Sequence, residues 1–192
     1  MIFPVCVYGH PVLRKLAKEI DEDYKDLDQF IKDMFETMYI SDGIGLASPQ
    51  VGKSIRLFII DASPLEDEDP AFSDFKKVFI NPQIIEKNGD KSNFNEGCLS
   101  IPNLREEVAR EPEIRIRYYD EDFNFYDEVY SGTISRVIQH EYDHLEGILF
   151  TDRVSPIRKR LLKGKLTGIS KGRFEASYKT ILPNNKLVFP AK

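Results

Sequence analysis

The chain has 192 residues, 41% of them apolar and 31% charged, a balance that suits one folded domain and excludes a disordered chain. The formal net charge of −5 argues against bulk nucleic-acid binding, DNA included. Three histidines (His10, His140, His144) and two cysteines (Cys6, Cys98) exclude a disulfide framework and leave any metal site a short list of donors.

Met1-Ile2-Phe3-Pro4-Val5-Cys6-Val7 carries no basic leader, and Pro4 interrupts its apolar run, so it does not read as a signal peptide. No apolar stretch approaches the roughly 18–20 residues that span a bilayer. A cytoplasmic, reducing compartment with both thiols free is the expectation. Cys6 reads as a small packed residue, and His10 as structural or exposed.

Residues 24–39 read as an amphipathic helix, with Leu27, Phe30, Ile31, Met34, Phe35 and Met38 on one stripe and Ser41-Asp42-Gly43 as its stop. Gly43-Ile44-Gly45-Leu46-Ala47-Ser48-Pro49-Gln50 follows as a loop or short edge segment. Residues 56–60 form a strand candidate, and residues 62–74, rich in acids, a solvated surface loop. Residues 78–85 form a second strand, interrupted by Asn81-Pro82 and so bent or at an edge. Residues 114–119 alternate in polarity as a half-buried strand, with 123–130 as its partner.

A second helix is predicted over 133–146, capped by Ser131 or Thr133, with Ile134, Val137, Ile138, Tyr142 and Leu145 on its apolar face and Gly147 at its left-handed end. Beyond Pro156 the chain turns basic, with a short helix and then a strand around 174–180. Strands cluster between helices and do not alternate with them, which favours an α+β fold with antiparallel pairing. One domain over 1–192 is expected, its basic tail spanning 153–192.

The sharpest chemical signal is His140-Glu141-Tyr142-Asp143-His144. On a helix, histidines four apart project from one face, so His140 and His144 can reach one metal ion, with Glu141 beside them to take a proton from a bound water. A catalytic site needs a third protein ligand. Glu146 and Glu175 lie downstream and are poorly placed; Cys98, in Glu96-Gly97-Cys98-Leu99-Ser100-Ile101-Pro102, is the favoured donor because thiolate binds zinc or iron(II) strongly. The 43–48 segment fails as a dinucleotide loop, since it follows a helix and has Ser48 at the third glycine position. It reads better as backbone approaching a ligand, with an edge for an extended peptide and Gln50 as an amide donor for an oxyanion. Asp143 reads equally as an orienter of histidine or as an arginine partner. A general metallopeptidase and a fold with a purely structural metal are the rival classes.

Together, the motifs at 43–50 and 96–102 and Gln139-His140-Glu141-Tyr142-Asp143-His144-Leu145 resemble the three signature motifs of peptide deformylase, in the same order. The resemblance spans about residues 9–150. It implies antiparallel sheets packed around a central helix bearing the histidine pair, with an additional N-terminal helix. It implies that Cys98, His140 and His144 hold one divalent ion, iron(II) first, with zinc or nickel able to substitute. By the same resemblance, Glu141 is general base and acid, while Gln50 and the Leu99 amide stabilise the oxyanion. Ile44, Gly45 and Gly97 flank the peptide backbone; Glu96, Val137 and Ile44 line a methionine pocket; Arg105 lies near substrate.

The implied reaction is attack of metal-held water on the formyl carbon of an N-formylmethionyl nascent peptide, releasing formate. A thiolate-ligated iron(II) would be sensitive to oxygen and peroxide. Ser48 departs from the family's usual alanine, and the acidic 62–74 stretch reads as an insertion. Eight basic residues and no acids lie in 153–173, either a solvated face or a ribosome-docking surface.

Overall fold

The computed structural model describes residues 1–190. The fold is α+β, built, among the described residues, from two antiparallel sheets, one small mixed sheet and three α-helices. The predicted tail runs to residue 192, so its last two positions lie outside the described residues.

Helix α1 spans Leu27–Ile40, starting three residues later than its sequence pattern. The delay has a local cause: Asp26 adopts φ 58, a left-handed conformation that cannot continue a helix backward. The apolar stripe packs under Leu46, Leu57, Ile59 and Val78. At its other end Ser41 and Gly43 return their N–H groups to the last turn, and Asp42 makes the reversal at φ 55.

That reversal delivers β2 (Gly45–Ala47), followed by a 3-10 turn over Ser48–Val51. Strands β3 (Leu57–Asp61), β4 (Lys76–Asn88), β7 (Glu113–Tyr119) and β8 (Phe125–Ser131) join β2 in a five-stranded antiparallel sheet, in the order β2-β3-β4-β7-β8. Strand β2 is therefore an edge strand. Ser48 is fully buried, its hydroxyl 2.6 Å from the Ile55 carbonyl oxygen and 2.9 Å from that of Leu57.

Strand β4 lies inside the sheet and not at an edge. It tolerates Asn81-Pro82 by a register shift between Ile80 and Gln83, so the missing proline N–H removes no ladder bond. Asn81, at φ 49, ties the bulge to Ile20 through both its amide atoms. The acidic stretch between β3 and β4 folds as two short 3-10 turns, Ser63–Leu65 and Pro70–Phe72.

A two-stranded hairpin, β5 (Ser92–Cys98) and β6 (Ile101–Arg110), was not anticipated from the sequence. Strand β5 is exposed along most of its length and carries Phe94 as its one large apolar residue, so it has no alternation to read.

Helix α2 spans Gly132–Leu145. Ile134, Ile138 and Leu145 pack with Phe58, Ile60, Ile114 and Ile116 of the large sheet, and Val137 and Tyr142 lie against the same cluster. Its end is a paired cap: Gly147 donates to the His144 carbonyl and Ile148 to the Asp143 carbonyl, with Gly147 at φ 70. Ser131 stands at the N-cap but makes no side-chain cap bond.

Helix α3 covers Pro156–Ser170 and, at fifteen residues, is not the short helix expected. Ser155 caps it, and Pro156 starts it with a preset φ. The strand expected around 174–180 shrinks to β9 (Thr180–Ile181), which pairs parallel to β1 (Val5–Cys6) and antiparallel to β10 (Leu187–Val188). Residues 174–178 belong to no strand and line an open cleft instead. None of the helices among the described residues is long and apolar enough to cross a membrane.

Candidate metal centre and active site

Helix α2 turns His140, Glu141 and His144 toward the β5–β6 hairpin, and the hairpin turn brings Cys98 to them. Ligand atoms of Cys98, His140 and His144 all lie within 4.8 Å of one another, and Cys98 Sγ stands 3.3 Å from His144 Nε2. One thiol and two imidazoles at this spacing match a three-ligand site with an open position. Glu146 is elsewhere, paired with Arg56 at 2.7 Å, and Glu175 gives its carbonyl to Asn103.

Around this cluster lies a buried charge network. Glu96 Oε2 is 3.0 Å from His140 Nδ1, which leaves the other ring nitrogen of His140 free to face Cys98. Arg110, 1% exposed, donates to both oxygens of Glu96 at 2.6 and 2.9 Å and to Asp143 at 2.8 Å. Arg153 completes the chain by pairing with Asp143. Asp143 is thus an arginine partner and not a histidine orienter. Nothing in the sequence pattern singled out Arg110; its partners lie fourteen and thirty-three residues away.

The electrostatics follow from burial and these partners. Burial alone would raise the Glu96 carboxyl, but Arg110 and His140 outweigh it and hold Glu96 down to about 2. Burial opposes charge on His140, yet its bonds to Cys98 and Glu96 prevail and raise its pKa above the ordinary value. Burial, with the nearby charge of His140, lowers that of His144. Burial pushes Glu141 up to about 7.

The donor set fits a divalent ion. Cys98 and His144 already converge, His140 is oriented from behind, and Glu141 Oε2 is buried with no hydrogen-bond partner among the described residues. A buried carboxylate oxygen left unpaired is costly unless a ligand or water meets it.

Backbone and amide groups close the site. A Cβ on Gly45 would lie 2.6 Å from Glu141 Oε1, so the edge strand must be glycine where it passes the carboxylate. Gln50 accepts from the Ala47 N–H at 2.8 Å, which aims its Nε2 at Cys98 Sγ (3.6 Å) and Ser100 Oγ (3.3 Å). A Cβ on Gly97 would meet Arg105 Nη1 at 2.9 Å, and Arg105 also donates to the Asn95 carbonyl. Ile44, Leu99 and Val137 line the same cleft, an opening of about 1050 Å³ bounded by β2, the hairpin, α2 and the segment after α3. The sequence therefore named residues that the fold gathers in one place. It missed Arg110 and Arg153, and gave no place to Tyr178, which the tail brings to the cleft.

Residues 2–160 match the family model described as polypeptide deformylase. The chain is 52% identical to the peptide deformylase of Christiangramia forsetii over 97% of its own length and 98% of that protein. It is 50% identical to that of Flavobacterium psychrophilum over 97% and 100% of the two chains. Among solved structures it resembles Thermotoga maritima peptide deformylase (38% identity, TM-score 0.73, covering 81% of this chain and 99% of that one). It also resembles Arabidopsis thaliana peptide deformylase 1B in complex with an inhibitor (33% identity, TM-score 0.78, covering 88% and 91%).

Proposed function

The chain belongs to the polypeptide deformylase family and is a hydrolase that removes the N-terminal formyl group from nascent polypeptides, and we propose that the site described above performs this reaction within one catalytic domain. The observation that carries the reading is the convergence of Cys98, His140 and His144 beside a buried, unpaired Glu141 oxygen. These three residues would hold one divalent ion, iron(II) first, with zinc or nickel as substitutes. An ion held there would supply Lewis acidity, making water more acidic and polarising the formyl carbonyl.

The chain's own groups carry the remaining work. Glu141 takes a proton from the attacking water as the new C–O bond forms at the formyl carbon. It returns that proton to the amine nitrogen as the C–N bond breaks, leaving formate and a free N-terminus. Gln50 Nε2 and the Leu99 backbone N–H stabilise the oxyanion.

The free edge of β2 is suited to pair with the substrate as an added strand, with Ile44, Gly45 and Gly97 flanking its backbone. Val137 and Ile44 would line the pocket for the methionine side chain. Glu96, both oxygens of which are already engaged, would offer only its stem, and Arg105 stands at the rim.

We read the protein as cytoplasmic and α3 as a ribosome contact. Its Lys159, Arg160, Lys163 and Lys165 are exposed beside the exposed Ile157 and Leu161, whereas Arg153 and Arg158 are already paired with Asp143 and Glu106. Salt-sensitive co-sedimentation with ribosomes, lost on charge reversal at Lys159, Arg160 and Lys163, is the expected behaviour; binding unchanged by that reversal would refute the contact.

The test of function is formate release from formyl-Met-Ala under anaerobic conditions with iron(II). Wild type is expected to release formate, and Glu141→Ala to lose the activity. Retained activity in Glu141→Ala would overturn the assigned base. Cleavage of unformylated peptides without formate would replace the reading with a general metallopeptidase.

A further inference from the structure

The family match ends at residue 160, yet the chain beyond it returns to the cleft. Phe174, Tyr178 and Phe189 all line it. Tyr178 does more than line the cleft. Its ring is 9% exposed, and its hydroxyl donates to the Leu99 carbonyl oxygen at 2.7 Å.

Leu99 and Ser100 are the two residues between Cys98 and Ile101, which face each other across the hairpin. This turn is gripped from three sides. The Tyr8 N–H donates to the Ser100 carbonyl at 2.8 Å, Gln50 Nε2 reaches Ser100 Oγ, and Tyr178 holds the Leu99 carbonyl. The tail that brings Tyr178 is itself fastened, by Asn103 to the Glu175 carbonyl at 2.8 Å and by the parallel pairing of β9 with β1.

We propose that Tyr178 is a positioning residue for deformylation, a hydroxyl supplied by the C-terminal segment that fixes the Cys98-Leu99-Ser100 turn so that the Leu99 N–H stays aimed at the oxyanion. The proposal rests on the reading of that N–H as an oxyanion donor. The geometry is simple. The Leu99 N–H and C=O belong to the two peptide planes that meet at one Cα. Clamping the carbonyl fixes one plane, and the tether of Cys98 to its neighbours restrains the other. Without the hydroxyl, the Leu99 carbonyl loses its partner and the turn gains freedom to rotate the N–H away. Because the N–H acts on charge that develops during the reaction, its misalignment weakens the transition state more than substrate binding.

Tyr178→Phe keeps the ring and removes only the hydroxyl. In the full-length, iron(II)-loaded protein, kcat on formyl-Met-Ala is expected to fall about tenfold while KM stays within about twofold. Metal content should match wild type, and the melting temperature should fall by no more than a few degrees, the cost of one lost hydrogen bond. In the ion-free protein, hydrogen exchange at the Leu99 amide should speed up. Gln50→Ala, which removes the other oxyanion donor, serves as the reference. If Tyr178→Phe leaves kcat and Leu99 exchange unchanged while Gln50→Ala loses activity, Tyr178 has no such role and the functional reading stands. If kcat, KM, metal content and melting temperature all shift together, the hydroxyl is a structural anchor and the proposal fails. If Gln50→Ala is also fully active, the oxyanion reading itself falls, and this inference with it.

Discussion

Glu96 Oε2 sits 3.0 Å from His140 Nδ1, and the same carboxylate is gripped by Arg110 through both its oxygens. A histidine held from behind presents its other nitrogen in a fixed direction, and the partner that holds it tunes its basicity. Glu96→Gln keeps the volume and removes the charge. Chelator competition should show metal affinity weakened by about 10–100-fold. Unchanged affinity would mean that Glu96 does not orient the imidazole. Arg110→Met is expected to act on stability, because it leaves the buried Glu96 without its guanidinium partner, while Asp143 keeps Arg153. Urea unfolding of the ion-free protein should register a loss of roughly 3–5 kcal/mol.

Gly45 has no room for a side chain, since its Cβ would press on the Glu141 carboxylate. Gly45→Ala should therefore displace Glu141 while leaving the ligand trio intact. Displacement of a reacting group by about 1 Å costs about 10²-fold in rate. Formate release should fall by that order with metal content preserved. Wild-type kinetics in this variant would show that the carboxylate has slack to move.

The two thiols should behave differently. Cys6 is 2% exposed, and burial pushes its thiol up to about 12, so a thiol reagent should not reach it in the folded chain. Cys98 is half-buried at the cleft. One thiol should titrate in native, ion-free protein, none after zinc is added, and two in denaturant. The Cys6 shift also carries a pH signature. A group whose folded pKa is raised stabilises the fold fully below its unfolded value, near 9.0, and that contribution is lost as pH climbs toward about 12. Stability measured from pH 9 upward should fall less steeply in Cys6→Ala than in wild type; equal slopes would exclude the thiol as the source.

The Ser48 hydroxyl meets two carbonyls that would otherwise lie beside a methyl group. Ser48→Ala should lower unfolding free energy by about 1 kcal/mol and leave kcat on formyl-Met-Ala unchanged. A stabilised Ser48→Ala would show that the hydroxyl is a cost and not a gain.

The legibility of this chain was uneven for physical reasons. The α1 stripe and the α2 histidine pair are periodic and local, so spacing alone exposes them. Strand β5 is different, because its residues take their strand form from β6 and leave no alternation behind. Pro82 left a bent strand and an edge strand both open, because the bulge that decides for the bend lies at Asn81 and depends on Ile20, sixty-one residues away. Arg110 and Tyr178 are invisible for the same reason: each matters through partners that only the fold supplies. Within the basic 153–173 run, Arg153 and Arg158 are engaged in ion pairs, which a run of like charge does not disclose.

The Glu96–Arg110–Asp143–Arg153 chain contains two carboxylates and two guanidiniums, so it sums to zero net charge at neutral pH. A neutral interior assembly of this kind casts little field beyond its own length, and mobile ions cannot penetrate to screen Arg110 within it. The exposed lysines of α3 have no such protection. Added salt should therefore act on the two unequally, weakening the ribosome contact proposed for α3 at ionic strengths that leave turnover of a small neutral substrate untouched.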